Sequence, residues 1–203
     1  MSKSEQSAYH HGNLRAELLA TAAQALRQVG AEKLSMRAIS RQLGVSQSAP
    51  FRHFKDKNEL LVALATNGFH TLTNAQQHAK KGLEPIDGLI ATGIAYVEFA
   101  CDQPEVFKLM FGTQIEGRGL DTTPELCSAG DLAYAELHLC IQSGVDQGVL
   151  RHRPTEQLAF AAWAIVHGLA YLAIEGTGED IPSDAKHALI RSSLEIFIEG
   201  ARA

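Results

Sequence analysis

The chain has little of what a secreted or metal-dependent protein needs. Its three cysteines, Cys101, Cys127 and Cys140, are spread widely over 203 residues. An odd number at that spacing excludes a disulfide framework and is read as reduced, mostly buried thiols. Met1 to Gly12 is polar and lacks an apolar run, so no secretory signal is visible and a cytoplasmic location is expected. The nine histidines do not gather with cysteine or carboxylate at ligand spacing, and His10-His11 is read as part of a flexible arm, so neither metal nor cofactor is expected. There is no Gly-x-Ser-x-Gly elbow, no phosphate-cradling glycine run, no His-Glu-x-x-His and no acid pair on a shared face, which leaves no enzyme to argue for. No alternating strand pattern of useful length occurs, so the fold class expected is all-α.

What is present is concentrated between Leu34 and Lys57, LSMRAISRQLGVSQSAPFRHFKDK. Ser35 is a good N-cap, and Met36, Ile39 and Leu43 share one face of the helix that follows, with Arg37, Ser40, Arg41 and Gln42 pointing away. Gly44 ends that helix, because glycine adopts the left-handed conformation without a Cβ penalty. A second helix is expected almost at once, capped by Ser46 or Ser48, with Pro50 in its first turn. Two short helices around a glycine turn are the pattern of a helix-turn-helix, whose second helix enters the major groove of DNA. Gln47 and Arg52 suit paired hydrogen bonds to adenine and guanine, Ser48 suits either, and Phe51 suits a thymine methyl. His53, Lys55 and Lys57 are placed for phosphates. Ser35, Arg37 and Ala49 complete the candidate DNA-facing set.

Three stretches in unbroken order, YHHGNLR (Tyr9–Arg15), LSMRAISRQLGVS (Leu34–Ser46) and SAPFRHFKDKNELL (Ser48–Leu61), resemble the N-terminal domain of the TetR family of bacterial transcriptional regulators. The resemblance implies a three-helix reading head followed by a helical body that binds an effector and dimerises. Phe51 stands where the family usually has tyrosine, which removes a phenolic hydrogen bond and keeps the ring. Ser40 stands where alanine is common and is small enough to pack.

Charge divides the same way. Residues 1–60 carry nine Lys/Arg against five Asp/Glu, and residues 61–203 nine against eighteen, within a total of −5. A basic head that meets phosphate and an acidic body that does not is the expected division. The domains are therefore placed at 1–60 and 61–203.

Beyond the head, helices are expected throughout. Asn13 is read as the cap of a first helix with Leu14, Leu18, Ala22, Leu26 and Val29 in a stripe ending at Gly30. Asp56 and Glu59 form a capping-box pattern that opens a long helix with Leu60, Leu64, Gly68 and Leu72 on one face. A helix after Pro85 carries Ile86, Leu89, Ile90, Ile94, Val97 and Cys101 on its apolar side. Pro104 opens a short apolar segment, 112–119 is read as a loop, and Pro124 opens another helix towards Gly144 or Gly148. Leu158 to Ile174 is apolar apart from His167 and Gly168, near the lower length limit of a membrane span, but is read as a buried core helix, with no membrane partner.

Trp163, His167 and Gly168 match the Trp-x-x-x-His-Gly signature of a TetR subfamily, which extends the resemblance along most of the chain. It implies an effector pocket, for which Tyr96, Phe107, Met110, Phe111, Trp163 and His167 are candidates. It also implies a homodimer built on the last two helices, with Ala161, Ala164, Gly168, Leu189, Ile196 and Phe197 as candidates. Ordinary packing is the competing reading of Trp163 and His167, which are four apart and so share a face. The function expected is a ligand-responsive repressor that binds a palindromic double-stranded DNA operator and is released by a small-molecule effector. The alternative is a helical DNA-binding module that recruits a protein partner and binds no small molecule.

Overall fold

A computed structural model describes residues 3–112, 122–176 and 183–202, with side chains described from residue 14 and, in the last helix, from residue 188. Among the described residues the secondary structure is helical: α1 (Lys3–Lys33), α2 (Met36–Gln42), a 3₁₀ turn (Pro50–Arg52), α3 (Lys57–Ala79), α4 (Pro85–Asp102), α5 (Pro104–Phe111), α6 (Pro124–Asp146), α7 (Thr155–Ile174) and α8 (Ser183–Ala201). The chain divides into two compact units, Met1–Gly68 with Glu105–Leu126, and Phe69–Pro104 with Cys127–Ala203. The expected loop at 112–119 lies, from residue 113 on, outside the described residues.

In the first unit, α1 starts at Lys3, so Asn13 lies inside the helix instead of capping it and the expected arm from Lys3 onward is helical. The helix breaks where expected, at Gly30, with φ +71°. Leu14, Leu18, Ala22 and Leu26 are buried, whereas Val29, one residue before the break, is exposed. Ile39, Phe54 and Leu60 are almost fully buried with them, and the Arg15 guanidinium stacks 5.1 Å from the Phe54 ring centroid. Each such apolar side chain contributes about 1.5–3 kcal/mol on burial. Gly68 on α3 admits α5: a Cβ there would lie 2.6 Å from Met110 Sδ and 2.7 Å from Val106 Cγ1. The start of α3 is held by Asp56 Oδ1, which accepts the Glu59 amide at 2.9 Å, while the Glu59 carboxylate accepts the Lys55 amide.

In the second unit, α4 packs on α7 and α8. Gly93 makes this possible, since a Cβ would stand 2.9 Å from Leu194 Cδ1 and 3.1 Å from Val166 Cγ1. The end of α3 is tied to α6 by Lys80 Nζ, 2.7 Å from Glu136 Oε2, and by Gln77 Nε2, which donates to Glu136 Oε1 at 2.7 Å. A backbone bridge pairs Leu150 with Arg202 and anchors the end of α8.

Three expectations about burial change. Cys140 is buried, but Cys101 and Cys127 are exposed. Ser40 is buried and donates to Met36 O at 2.9 Å, which corrects the face pattern that pointed it away and agrees with the family resemblance, in which a small residue packs there. By length and composition α7 alone among the described helices is apolar enough to cross a membrane, yet it is not buried all round. Leu158, Ala159, Ala162, Val166 and Ala170 are buried, while Ala161, Ala164, Gly168 and Leu172 lie open. Hydrophobicity alone does not say which side of such a helix finds a partner within the chain.

Candidate functional site

The candidate reading head is built on the turn between α2 and the 3₁₀ segment. Ser35 caps α2, its Oγ accepting the Ala38 amide at 3.4 Å. The other end closes in a Schellman motif: Val45 N–H donates to Ser40 O at 3.0 Å and Gly44 N–H to Arg41 O at 3.2 Å, with Gly44 at φ +67°. The chain then runs through successive turns. Ala49 N–H donates to Ser46 O at 3.0 Å, Arg52 N–H to Ala49 O at 3.2 Å and Phe54 N–H to Pro50 O at 2.9 Å.

This differs from the expected second α-helix. The segment is one 3₁₀ turn, with Ala49 at its cap and no capping side chain; Ser46 and Ser48 instead place their hydroxyls 3.2 Å from each other. Pro50 is buried and Phe54 is pinned in the core, which fixes the segment from beneath. The exposed side carries Gln47, Ser48, Phe51 and Arg52, with Phe51 half open at 51 %. Ala49 and His53 are half-buried, and Ser35, Arg37 and Lys55 are exposed. Lys57 differs from Lys55 in that its ammonium donates to Glu32 O at 2.7 Å, tying α3 back to α1. The structure therefore gathers the polar base-reading candidates and an aromatic ring onto one short surface.

In the second unit, Tyr96 of α4 meets Trp163 and His167 of α7. Tyr96 Oη and His167 Nδ1 lie 2.8 Å apart, and the Trp163 and His167 ring centroids 5.3 Å apart. Burial raises the Tyr96 pKa against an opposing Trp163 hydrogen bond, so the phenol keeps its proton. Burial lowers the His167 pKa, so the imidazole is neutral near pH 7. A protonated phenol and a neutral imidazole share this hydrogen bond, each able to donate or accept according to the imidazole tautomer. Phe107, Met110 and Phe111 belong to the first unit, where Phe107 is fully buried, packs on Phe111 at 4.9 Å between centroids, and Met110 lies against Gly68.

Sequence reasoning missed three neighbours of this cluster. Tyr171 stacks edge-on to His167 at 5.0 Å, Tyr134 meets Trp163 at 6.1 Å, and Glu156 accepts the Tyr134 hydroxyl at 3.0 Å. Glu156 and Tyr171 share the helical spacing of Trp163 and His167, a signal already present in the chain; Tyr134 came from another helix and had none. Gln76 on α3 keeps its Oε1 buried without a hydrogen-bond partner among the described residues. An open groove of about 390 Å³ runs along α4 from Asp87 to Glu98 with Arg191 on its rim, lined by none of the six effector candidates.

The dimer candidates fall on two helices of this unit. Ala161, Ala164 and Gly168 are exposed on α7, as are Leu189 at 50 % and Ile196 at 69 % on α8, with Phe197 half-buried. A Cβ on Gly168 would meet nothing within 4 Å.

Two family models match the chain: bacterial regulatory proteins of the tetR family over residues 18–64, and a tetracyclin repressor-like C-terminal domain over residues 89–196. An HTH-type transcriptional regulator of Mycobacterium tuberculosis is 31% identical over 91 residues, which is 43% of this chain and 39% of that protein. The match thus spans well under half the length of such curated relatives. A solved structure of a Rhodococcus protein of unknown function is 30% identical, covering 96% of this chain and 98% of that one, with a TM-score of 0.85. A TetR family transcriptional regulator from Thermus thermophilus shares the fold at 19% identity, covering 90% of this chain and 97% of that one, with a TM-score of 0.69.

Proposed function

The chain belongs to the TetR family of bacterial regulatory proteins, and on that premise we propose that it is a sequence-specific DNA-binding transcriptional regulator, a repressor released from a palindromic operator by a small-molecule effector. The observation that carries this reading is the exposed row Gln47, Ser48, Phe51 and Arg52, held rigidly by a Schellman turn and by Phe54. Rigid presentation matters because base reading requires side chains placed to a fraction of an ångström. The basic residues 1–60 form the reading domain and the acidic residues 61–203 the effector and dimerisation domain. Trp163, His167 and Gly168 support membership of the Trp-x-x-x-His-Gly subfamily. The protein acts by binding and not by catalysis, in the cytoplasm.

The open faces of α7 and α8 support a homodimer. A second copy that covers Gly168, Leu189 and Ile196 would bury the apolar surface that one protomer leaves in water. Two heads then address half-sites about 34–36 Å apart or a multiple of that spacing. The Tyr96–His167–Trp163 cluster and the unmatched acceptor on Gln76 support an effector site in the body. The tight packing of Phe107 and Met110 favours the second reading, a body that recruits a protein partner without a small molecule.

Selection of genomic fragments on the purified protein, followed by sequencing, tests the DNA reading; enrichment of no palindromic sequence would overturn it. On the selected operator, Arg52→Ala is expected to cost about 1–3 kcal/mol and to relax preference at one base pair. Lys55→Ala is expected to weaken all sequences alike and to reduce the salt dependence. Equal behaviour of the two variants in a competition binding assay would show the roles misassigned.

A further inference from the structure

Five side chains recur every three or four residues along α7: Glu156, Phe160, Trp163, His167 and Tyr171. That spacing lines them up along one edge of the helix over about four turns. Ring contacts are continuous, with centroids 5.9 Å apart for Phe160 and Trp163, 5.3 Å for Trp163 and His167, and 5.0 Å for His167 and Tyr171. Tyr134 of α6 adds a ring perpendicular to Trp163. The rings do not close into a core: Phe160 is 58 % exposed, and Tyr134, Trp163, His167 and Tyr171 are each half-buried. Four aromatic rings left partly in water on one helix edge form a surface suited to a ligand.

Its electrostatics select the ligand. Aromatic faces carry the negative end of the ring quadrupole and attract cations. At the N-terminal end of the row, the Glu156 carboxylate accepts the Tyr134 hydroxyl at 3.0 Å, and His138 Nε2 lies 3.8 Å from it. Burial first, and then the hydrogen bond and charge of Glu156, push the Tyr134 pKa up to about 12, so the hydroxyl keeps its proton and stays a donor to that carboxylate. His167 within the row and Tyr96 bonded to it are uncharged near pH 7. No Lys or Arg occurs anywhere in α7.

We propose that this row of rings on α7, ending at Glu156, binds an organic cation with a flat aromatic body. The ring system lies against Phe160 and Trp163, and the positive charge lies towards Glu156. The assignment rests on the effector-site reading of Trp163 and His167, whose ligand class it names.

Trp163 is the one tryptophan in the chain, so its ¹⁵N-labelled indole gives a single resonance that reports this surface. The full-length protein is titrated at about pH 8 with 1-methylquinolinium and with uncharged quinoline, two molecules of nearly the same shape. The expected result is a shift of the Trp163 resonance with the cation binding about tenfold more tightly than quinoline, a gap that Glu156→Gln narrows to about threefold or less. Equal affinities, an unchanged gap in the Glu156→Gln protein, or an indole unmoved by the cation would each overturn the proposal. Mobility shifts on the selected operator separate it from its premise. If the cation moves Trp163 and leaves the operator complex intact, the cation site stands and the effector reading fails. If quinoline binds as tightly and releases the operator, the effector reading stands and the cation site fails.

Discussion

At the scale of single residues, His167 joins the chemistry of the body to its stability. Its neutral imidazole shares a hydrogen bond with the Tyr96 hydroxyl, and a second proton would place a charge in a site where burial disfavours it. The unfolded imidazole titrates near 6.5 and the folded one lower, so between the two values the unfolded chain holds the extra proton. Stability from burying neutral His167 is therefore complete above pH 6.5 and is lost as acid carries the chain down through the folded value. His167→Gln removes the titration while keeping a group able to bond with Tyr96. The melting temperature of the native protein is expected to fall more steeply between about pH 8 and pH 5 than that of His167→Gln. Parallel pH profiles for the two proteins would show that His167 does not titrate against the fold.

At the scale of elements, α4 depends on one small residue. Gly93 lets Leu194 and Val166 approach so closely that a Cβ would press on the Leu194 and Val166 methyl groups of α8 and α7. Gly93→Ala gains helix propensity of about 1 kcal/mol but overpacks a contact shared by three helices, which costs about 1–3 kcal/mol. The second effect is expected to win, lowering the urea midpoint with an unchanged slope; a raised midpoint would mean that the interface relaxes freely. Much at this scale was legible in the sequence because helix ends are local. Pro85, Pro104 and Pro124 each open a helix, Gly44 closes α2, and the Asp56–Glu59 pair sits at the start of α3. What depends on distant partners was not legible. The open side of α7, the exposure of Cys101 and Val29, and the contact of Tyr96 with His167 across 71 positions are set by which helices pack together. The 3₁₀ form of the reading segment was missed for another reason: Pro50 fixes its own φ and lacks an N–H, a constraint compatible with either helix type.

At the scale of the whole molecule, the uneven charge and the open apolar face bear on one question, which is how a chain of net charge −5 holds DNA. Residues 1–60 carry an excess of four positive charges, a modest electrostatic anchor for a single head. Joining two heads makes the second contact intramolecular and multiplies affinity by about 10²–10⁴ without any new type of contact, provided that the spacing matches the operator. The face that would join them is apolar and nearly chargeless, with Ala161, Ala164, Gly168, Leu172 and Ile196 all open in the protomer. Its lack of charge makes it sensitive to an introduced carboxylate. Ile196 is the most useful position because at 69 % exposure it contributes almost nothing to the fold of its own chain. Ile196→Glu is therefore expected to leave the circular dichroism spectrum and the protomer's cooperative unfolding in place. Light scattering at micromolar concentration should show the native protein as a dimer and the variant as a monomer. Operator affinity should fall about a hundredfold or more, towards that of a single half-site. A variant that remains dimeric would move the subunit contact away from α8, and a monomeric variant with undiminished affinity would remove the need for paired heads.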